Sequence, residues 1–174
     1  MKDLLLFRHA KAKPALPGQD DRDRRLGGRG REAALAMARW MHDAGWRPDL
    51  VLFSTAVRTR QTAALALLVL PTARLEGEDG LYLADLRALR ERVMAIDPAA
   101  RAAMIVGHNP GLEDLVRALL DGRARGEAQG APQMATGAAA WFRSPARDWT
   151  EFFSAGPALV AAMSPGGLGG PPPR

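Results

Sequence analysis

The segment Leu4-Leu5-Leu6-Phe7-Arg8-His9 decides the fold of this chain. Its first four residues form an apolar run that stops at a charged residue, which is the pattern of a strand buried on both faces of a mostly parallel sheet. Two further runs of this kind follow at residues 50–53 and 102–106. We therefore expect three interior strands, with Arg8 and His9 directly after the first.

Helical patterns separate these strands. Residues 30–44 and 85–96 carry apolar side chains at helical spacing, and residues 56–70 are rich in Ala and Leu. After the third strand, Asn109 and Pro110 predict the N-cap and first residue of another helix. Strands alternating with helices in right-handed crossovers predict an α/β fold, a three-layer α/β/α sandwich.

The last third of the chain has a different pattern. Residues 121–137 have no period and predict a surface loop or partial lid. Residues 138–142 and 151–153 predict two antiparallel strands, which would give the mostly parallel central sheet an antiparallel edge. Residues 164–174 are rich in Gly and Pro and predict a disordered tail after a single domain at residues 1–163.

The composition excludes several kinds of chemistry. The chain has 174 residues, a length typical of one domain, and contains no cysteine. This excludes disulfides, thiolate nucleophiles and thiolate metal sites. Imidazoles and carboxylates remain as the candidate nucleophiles and metal ligands. Three histidines are available: His9, His42 and His108. We interpret His42, which lies within a predicted helix beside Asp43, as a surface residue.

The charge pattern limits the partners of the chain. The net charge is +5, from 24 Lys and Arg against 19 Asp and Glu, but Asp20, Asp21 and Asp23 precede and interrupt the densest basic stretch at residues 22–31. A nucleic-acid interface would show an unbroken basic stripe lined with aromatics, so we expect no nucleic-acid partner. The apolar run near the start is too short for an export signal or a membrane span. We expect a soluble, cytoplasmic protein without membrane contact.

Arginines and histidines follow each of the three predicted strands. Arg8 and His9 follow the first strand, Arg58 lies one turn into the helix after the second, and His108 follows the third. In an open parallel sheet, ligands bind in the crevice outside the carboxyl ends of the strands. We therefore expect these four side chains to share one crevice.

These residue types favour a phosphoryl ligand. Two guanidiniums can bind the oxygens of a tetrahedral oxyanion, and the free N–H groups at the N-terminus of a helix add further donors. An imidazole can serve as the nucleophile, and flanking cations lower its pKa and keep a lone pair free near neutral pH. A metal bound to His9 and His108 is the alternative, but such a site needs at least three ligands and the arginines would repel the ion. We expect no metal and no other cofactor.

Three longer motifs occur in order along the chain. They are Leu6-Phe7-Arg8-His9-Ala10-Lys11-Ala12, Ser54-Thr55-Ala56-Val57-Arg58-Thr59-Arg60-Gln61-Thr62 and Val106-Gly107-His108-Asn109-Pro110-Gly111. They resemble the motifs of the histidine phosphatase superfamily, whose fold is phosphoglycerate mutase-like, and within it the small SixA-like phosphohistidine phosphatases. Asp23-Arg24-Arg25-Leu26 and Thr136-Gly137-Ala138 resemble stretches of the same small branch. The likeness spans residues 3–142.

The resemblance implies a role for each matched residue. His9 would be the nucleophile that becomes phosphorylated, Arg8 and Arg58 would clamp the phosphoryl oxygens, and His108 would stabilise the transferring group. No metal is required in this family. We expect Arg24, in the loop after the first strand, and Asn109 to contact the substrate.

The general acid is the main departure from the larger family members. Glu76, Glu78 and Asp79 are the candidates, but they lie in a short acidic segment that predicts a solvated turn equally well. Phosphohistidine needs little acid assistance, because its imidazole can leave already protonated, whereas a sugar phosphate needs the acid. We therefore expect a phosphatase of protein phosphohistidine. A phosphatase of small phosphate esters and a non-catalytic module that binds phosphorylated ligands are the alternatives.

Overall fold

A six-stranded mixed sheet forms the centre of the protein. The computed structural model describes residues 1–71, 74–121 and 132–168. The strands are β1 (Lys2–Arg8), β2 (Leu50–Ser54), β3 (Arg74–Glu78), β4 (Ala102–Gly107), β5 (Ala139–Ser144) and β6 (Ala158–Met163). The helices are α1 (Gly28–Asp43), α2 (Val57–Leu67), α3 (Leu86–Met94) and α4 (Gly111–Asp121).

The strand order is β3-β2-β4-β1-β5-β6. The first four strands in this order are parallel, and β5 and β6 add an antiparallel edge beside β1. The predicted three interior strands and the antiparallel edge are therefore confirmed. The register pairs Arg8 with Gly107 and Phe53 with Val106, so β1, β4 and β2 end at the same level.

Helices cover both faces of the sheet. Successive side chains of β1 point to opposite faces, as the two-residue period of a strand requires. Leu5 and Phe7 pack in one core with side chains of α1 and α2, whereas Leu4 and Leu6 pack in the other with side chains of α3 and α4. This is the predicted three-layer α/β/α sandwich, and both of its apolar layers contact the strand that leads to His9.

Strand β3 was missing from the sequence prediction, which placed Glu76 and Glu78 in a loop. Its sequence Arg-Leu-Glu-Gly-Glu is largely exposed, and even Leu75 keeps half of its surface in water. β3 lies at the edge of the sheet and pairs only with β2 among the described strands. A charged edge strand does not show an apolar run, so the pattern used for the interior strands could not detect it.

The predicted strand at residues 151–153 is wrong. The Asp148 carboxylate instead accepts hydrogen bonds from the backbone N–H groups of Thr150 and Glu151, which makes the chain turn there. Phe152 is buried by this turn and stacks on Trp149 at 5.4 Å between ring centroids. The second antiparallel strand is β6, which follows the turn.

Three further expectations need correction or lie outside the described residues. Helix α4 begins at Gly111, so Pro110 is not its first residue and Asn109 is not its N-cap; the Asn109 Oδ1 accepts no hydrogen bond from a described residue. The Asn109-Pro110 peptide is cis. In the segment expected to be a disordered tail, Pro165–Gly167 form a 3-10 turn and Leu168 packs against the core. Residues 169–174, and residues 122–131 of the expected lid, lie outside the described residues.

Candidate active site

The two predicted histidines meet at the carboxyl end of the parallel strands. His9 follows β1 and His108 follows β4, and the backbone N–H of His9 donates to the Gly107 carbonyl at 3.1 Å. The ring centroids of His9 and His108 are 5.2 Å apart, with the planes tilted by 59°. The structure thus brings together two residues separated by most of the chain, as the strand arrangement predicted.

The tautomer of His9 follows from its hydrogen bonds. Its Nδ1–H donates to the backbone carbonyl of Ala10 at 2.9 Å, so Nε2 carries the lone pair. The Ala10 N–H in turn donates to the Thr62 hydroxyl on α2 at 3.1 Å. These bonds fix the ring in the orientation in which Nε2 faces Arg58, and Nε2 is the atom available for nucleophilic attack.

Arg58 lies between the two imidazoles. It is in the first turn of α2, and only 3% of its surface is exposed. Its Nε–H donates to His9 Nε2 at 3.3 Å, and its Nη2–H donates to His108 Nδ1, also at 3.3 Å. These hydrogen bonds are long and therefore weak. One edge of the guanidinium thus faces both ring nitrogens but binds neither of them tightly.

His108 is held on its far side by β2. Its Nε2 is 2.8 Å from the Ser54 hydroxyl oxygen, and because Nδ1 accepts from Arg58, Nε2 carries the proton and donates to that oxygen. The Tyr82 ring meets the His108 ring edge-on at 5.3 Å. His108 is therefore a buried, neutral imidazole with a defined tautomer.

Both imidazoles have a strongly lowered pKa. Burial is the largest cause for His9, with the positive charges of Arg58, Arg8 and Arg24 added to it, and its pKa falls from 6.5 to about 4. Burial and Arg58 also lower the pKa of His108, to about 3. At neutral pH both rings are uncharged, and His9 keeps its lone pair.

Arg8 and Asn109 meet at one backbone carbonyl. Arg8 Nη1–H donates to the Met134 carbonyl at 2.7 Å, and Asn109 Nδ2–H donates to the same oxygen at 3.0 Å and to Glu113 at 2.8 Å. Within the described part of the chain, the buried Arg8 Nε and Asn109 Oδ1 have no hydrogen-bond partner. Burial lowers the pKa of Arg8. Arg8 thus has an N–H donor that no described residue uses, and its charge lies close enough to His9 to lower the pKa of that residue.

Arg24 reaches the site through Asp21, a residue that the sequence interpretation missed. Arg24 Nη1–H donates to Asp21 Oδ1 at 2.8 Å, and Arg58 Nη2–H and the Tyr82 hydroxyl both donate to Asp21 Oδ2 at 2.8 Å. Asp21 and Tyr82 come from segments that carried no pattern of their own. Their signal in the sequence was weak, since Asp21 stands among alternating acidic and basic residues.

The three carboxylates considered as general acid are bound elsewhere. Arg92 forms a bidentate ion pair with Glu78 at 2.7–2.9 Å, and Arg74 binds Glu76 at 3.0 Å. Asp79 accepts from the Thr55 hydroxyl and from Arg22. In the described ranges, none of the three hydrogen bonds to His9, Arg58 or His108.

The geometry does not resemble a metal centre. Among the described residues, no group of three His, Cys, Asp or Glu side chains is placed to hold a metal ion. The lone pairs of His9 and His108 both face the Arg58 guanidinium, whose charge repels a cation. His42 lies away from both histidines, half exposed on α1, and bonds to Asp43 and Arg47.

No helix among residues 1–71, 74–121 and 132–168 is long and apolar enough to cross a membrane.

Comparison with known proteins places the chain in a family. The model of the histidine phosphatase superfamily (branch 1) matches residues 4–86, which include His9 and Arg58. No curated protein sequence matches the chain.

Solved structures extend the likeness over nearly the whole chain. The SixA structure of Nakamurella multipartitia is 30% identical with a TM-score of 0.81, and the match covers 94% of this chain and 96% of that one. A SixA structure from Agrobacterium tumefaciens is 29% identical with a TM-score of 0.77, covering 94% and 97%. The protein histidine phosphatase SixA complexed with tungstate is 23% identical, covers 95% and 99%, and shares the fold with a TM-score of 0.77. The chain therefore belongs to the histidine phosphatase superfamily, among its SixA-like members.

Proposed function

We propose that this chain is a metal-independent phosphatase that forms a phosphohistidine intermediate on His9 and acts on protein phosphohistidine. The observation that carries the proposal is the position of Arg58, which directs one N–H at His9 Nε2 and another at His108 Nδ1. A phosphoryl group at His9 Nε2 would take these donors with its oxygens. The arrangement thus supplies a nucleophile and a charged clamp at one point.

The first chemical step transfers the phosphoryl group to His9. The Nε2 lone pair attacks phosphorus, and the P–N bond of the substrate breaks with its electron pair going to the departing imidazole nitrogen. Arg58 and Arg8 neutralise the charge on the phosphoryl oxygens, and His108 lies beside them. The lowered pKa of His9 keeps Nε2 unprotonated for this attack.

The second step restores the enzyme. A water molecule attacks phosphorus of phospho-His9, the new P–N bond breaks, and its electron pair returns to Nε2. The products are inorganic phosphate and neutral His9. The clamp of Arg8 and Arg58 serves both steps, because the same phosphoryl oxygens carry charge in each.

The surroundings of the site favour phosphohistidine over an alkyl ester. Asp21 is the carboxylate bound to Arg58, and the hydrogen bonds from Arg24, Tyr82 and Arg58 hold its pKa well below its usual range, so it carries no proton to donate. Glu76, Glu78 and Asp79 are engaged by other side chains. An alkoxide leaving group needs an acid, whereas an imidazole that already carries a proton does not. The SixA structure from Nakamurella multipartitia bears the name phosphohistidine phosphatase, which agrees with this choice.

The test compares three substrates in the presence of a chelator. We expect the protein to hydrolyse a histidine-phosphorylated carrier protein and p-nitrophenyl phosphate, whose leaving groups need little acid, and to leave glycerol phosphate unchanged. His9→Asn removes the activity, and His42→Asn, on the exposed face of α1, serves as the matched control with full activity. Rapid hydrolysis of glycerol phosphate would instead indicate a phosphatase of small esters. Tight binding of the phosphoprotein without turnover would indicate a binding module.

A further inference from the structure

We infer that Asp21 is a positioning residue, which holds the outer edge of Arg58 so that its inner edge faces the two histidines. The inference rests on the proposed function, and it assigns a role to a carboxylate that the phosphoryl-transfer steps do not use.

The two edges of Arg58 have different partners. The inner edge, formed by Nε and one N–H of Nη2, faces His9 Nε2 and His108 Nδ1 at 3.3 Å. The outer edge, formed by Nη1 and the other N–H of Nη2, binds the backbone carbonyl of Asp21 at 2.6 Å and its carboxylate at 2.8 Å. The outer bonds are short and charge-assisted, whereas the inner bonds are long. Asp21 therefore fixes the guanidinium, and the loosely held inner edge remains available for a phosphoryl group.

Two further side chains hold the Asp21 carboxylate, one from the same loop and one from the segment after β3. The Tyr82 hydroxyl and Arg24 donate to its two carboxylate oxygens, each at 2.8 Å. The 3-10 turn Asp21–Asp23 that carries it is capped by Asp20, whose side chain accepts from the Arg22 N–H at 2.8 Å. The carboxylate thus has three donors on two oxygens, which no neutral amide can satisfy.

A positioning role predicts a particular kinetic pattern for Asp21→Asn. The amide is uncharged and has one acceptor oxygen, so the outer edge of Arg58 loses its charged partner and keeps only neutral acceptors at residue 21. The guanidinium is therefore held less firmly, and kcat for p-nitrophenyl phosphate falls about tenfold. The KM does not rise, because removing a negative charge beside two guanidiniums does not weaken the attraction for an anion. Tyr82→Phe, which keeps the ring against His108 and removes one donor, lowers kcat by a smaller factor.

Two controls separate positioning from a general structural effect. Asp23→Asn makes the same charge change in the same 3-10 turn, away from these contacts, and leaves kcat within about twofold. In an Arg58→Ala background, Asp21→Asn has no further effect on kcat, because Asp21 acts through Arg58. The inference is overturned by an Asp21→Asn variant that behaves like Asp23→Asn, or by the same tenfold loss in the absence of Arg58.

A measurement independent of turnover completes the test. Arg58 lowers the pKa of His108 and the charge of Asp21 raises it. If Asp21→Asn lets Arg58 move away from His108, the loss of the Arg58 charge has the larger effect and the pKa of His108 rises in a ¹⁵N NMR titration. Loss of the Asp21 charge with Arg58 still in place lowers that pKa and would contradict the inference. Should the wild-type protein hydrolyse none of the three substrates, the proposed function fails, and this titration still decides whether Asp21 positions Arg58.

Discussion

Acid should destabilise this protein through His9 by an amount that the structure predicts. The pKa of His9 is about 4 in the folded protein, because the ring is buried beside three arginines, and its ordinary value is 6.5. Below pH 6.5 the unfolded chain binds a proton at this position and the folded protein does not. The stability associated with the neutral ring is complete above pH 6.5 and is lost as the pH falls toward 4.

The magnitude follows from the titration of one group. Each pH unit between these two values costs about 1.4 kcal/mol, so lowering the pH from about 7.5 to about 5 costs about 2 kcal/mol through His9. In His9→Asn the amide can still donate to the Ala10 carbonyl, so the local hydrogen bond is kept. The variant has no imidazole at this position, so the loss of unfolding free energy caused by its protonation disappears. Urea unfolding of both proteins at both pH values measures it, because all other titrating groups are common to the pair. An equal loss of unfolding free energy in wild type and variant would show that His9 is not held neutral, and would refute the reasoning.

Three further substitutions test other parts of the site and the fold. Arg58→Lys should lower kcat/KM for p-nitrophenyl phosphate about 100-fold in steady-state assays, because one ammonium cannot replace two donors aimed at separate atoms; activity within a few-fold of wild type would contradict the clamp. Ser54→Ala should lower the free energy of urea unfolding by about 2 kcal/mol, since the buried His108 Nε2–H loses its acceptor; an unchanged value would mean that this buried hydrogen bond does not stabilise the folded protein. Gly30→Ala should destabilise by about 2 kcal/mol, because its methyl group would clash with a backbone carbonyl of the loop after β1, whereas a methyl at Gly28 meets no atom within 4 Å and should leave thermal stability unchanged. Equal melting temperatures for the two alanine variants would refute this packing.

The interior of the sheet was predictable because burial leaves a simple pattern. Residues 4–7, 50–53 and 102–106 are apolar throughout, since both faces of these strands pack against helices. When these strands lie side by side and parallel, their carboxyl ends meet at one edge of the sheet. The position of His9 next to His108 is therefore predictable even where the paths of the loops are not. Strand β3 is exposed and charged, and the turn around Asp148 is held by local hydrogen bonds. Neither element shows an apolar run, so the pattern that predicts buried strands does not detect them.

The part of the site that comes from strand ends was predictable, and the part that comes from loops was not. His9, Arg58 and His108 lie where the three predicted strands end. Asp21 and Tyr82 reach Arg58 from a 3-10 turn and a loop whose paths depend on tertiary contacts. Among so many charged residues, no single carboxylate could be selected from its sequence neighbours alone.

Trapping the covalent intermediate tests the central claim most directly. A histidine-phosphorylated carrier protein labelled with ³²P is mixed with the protein and a chelator, and the reaction is stopped with base within the first turnover. We predict label on His9 as an acid-labile, base-stable phosphate, with no label on His9→Asn. Turnover that continues without such a phosphoenzyme, label retained by His9→Asn, or activity abolished by the chelator would contradict the account.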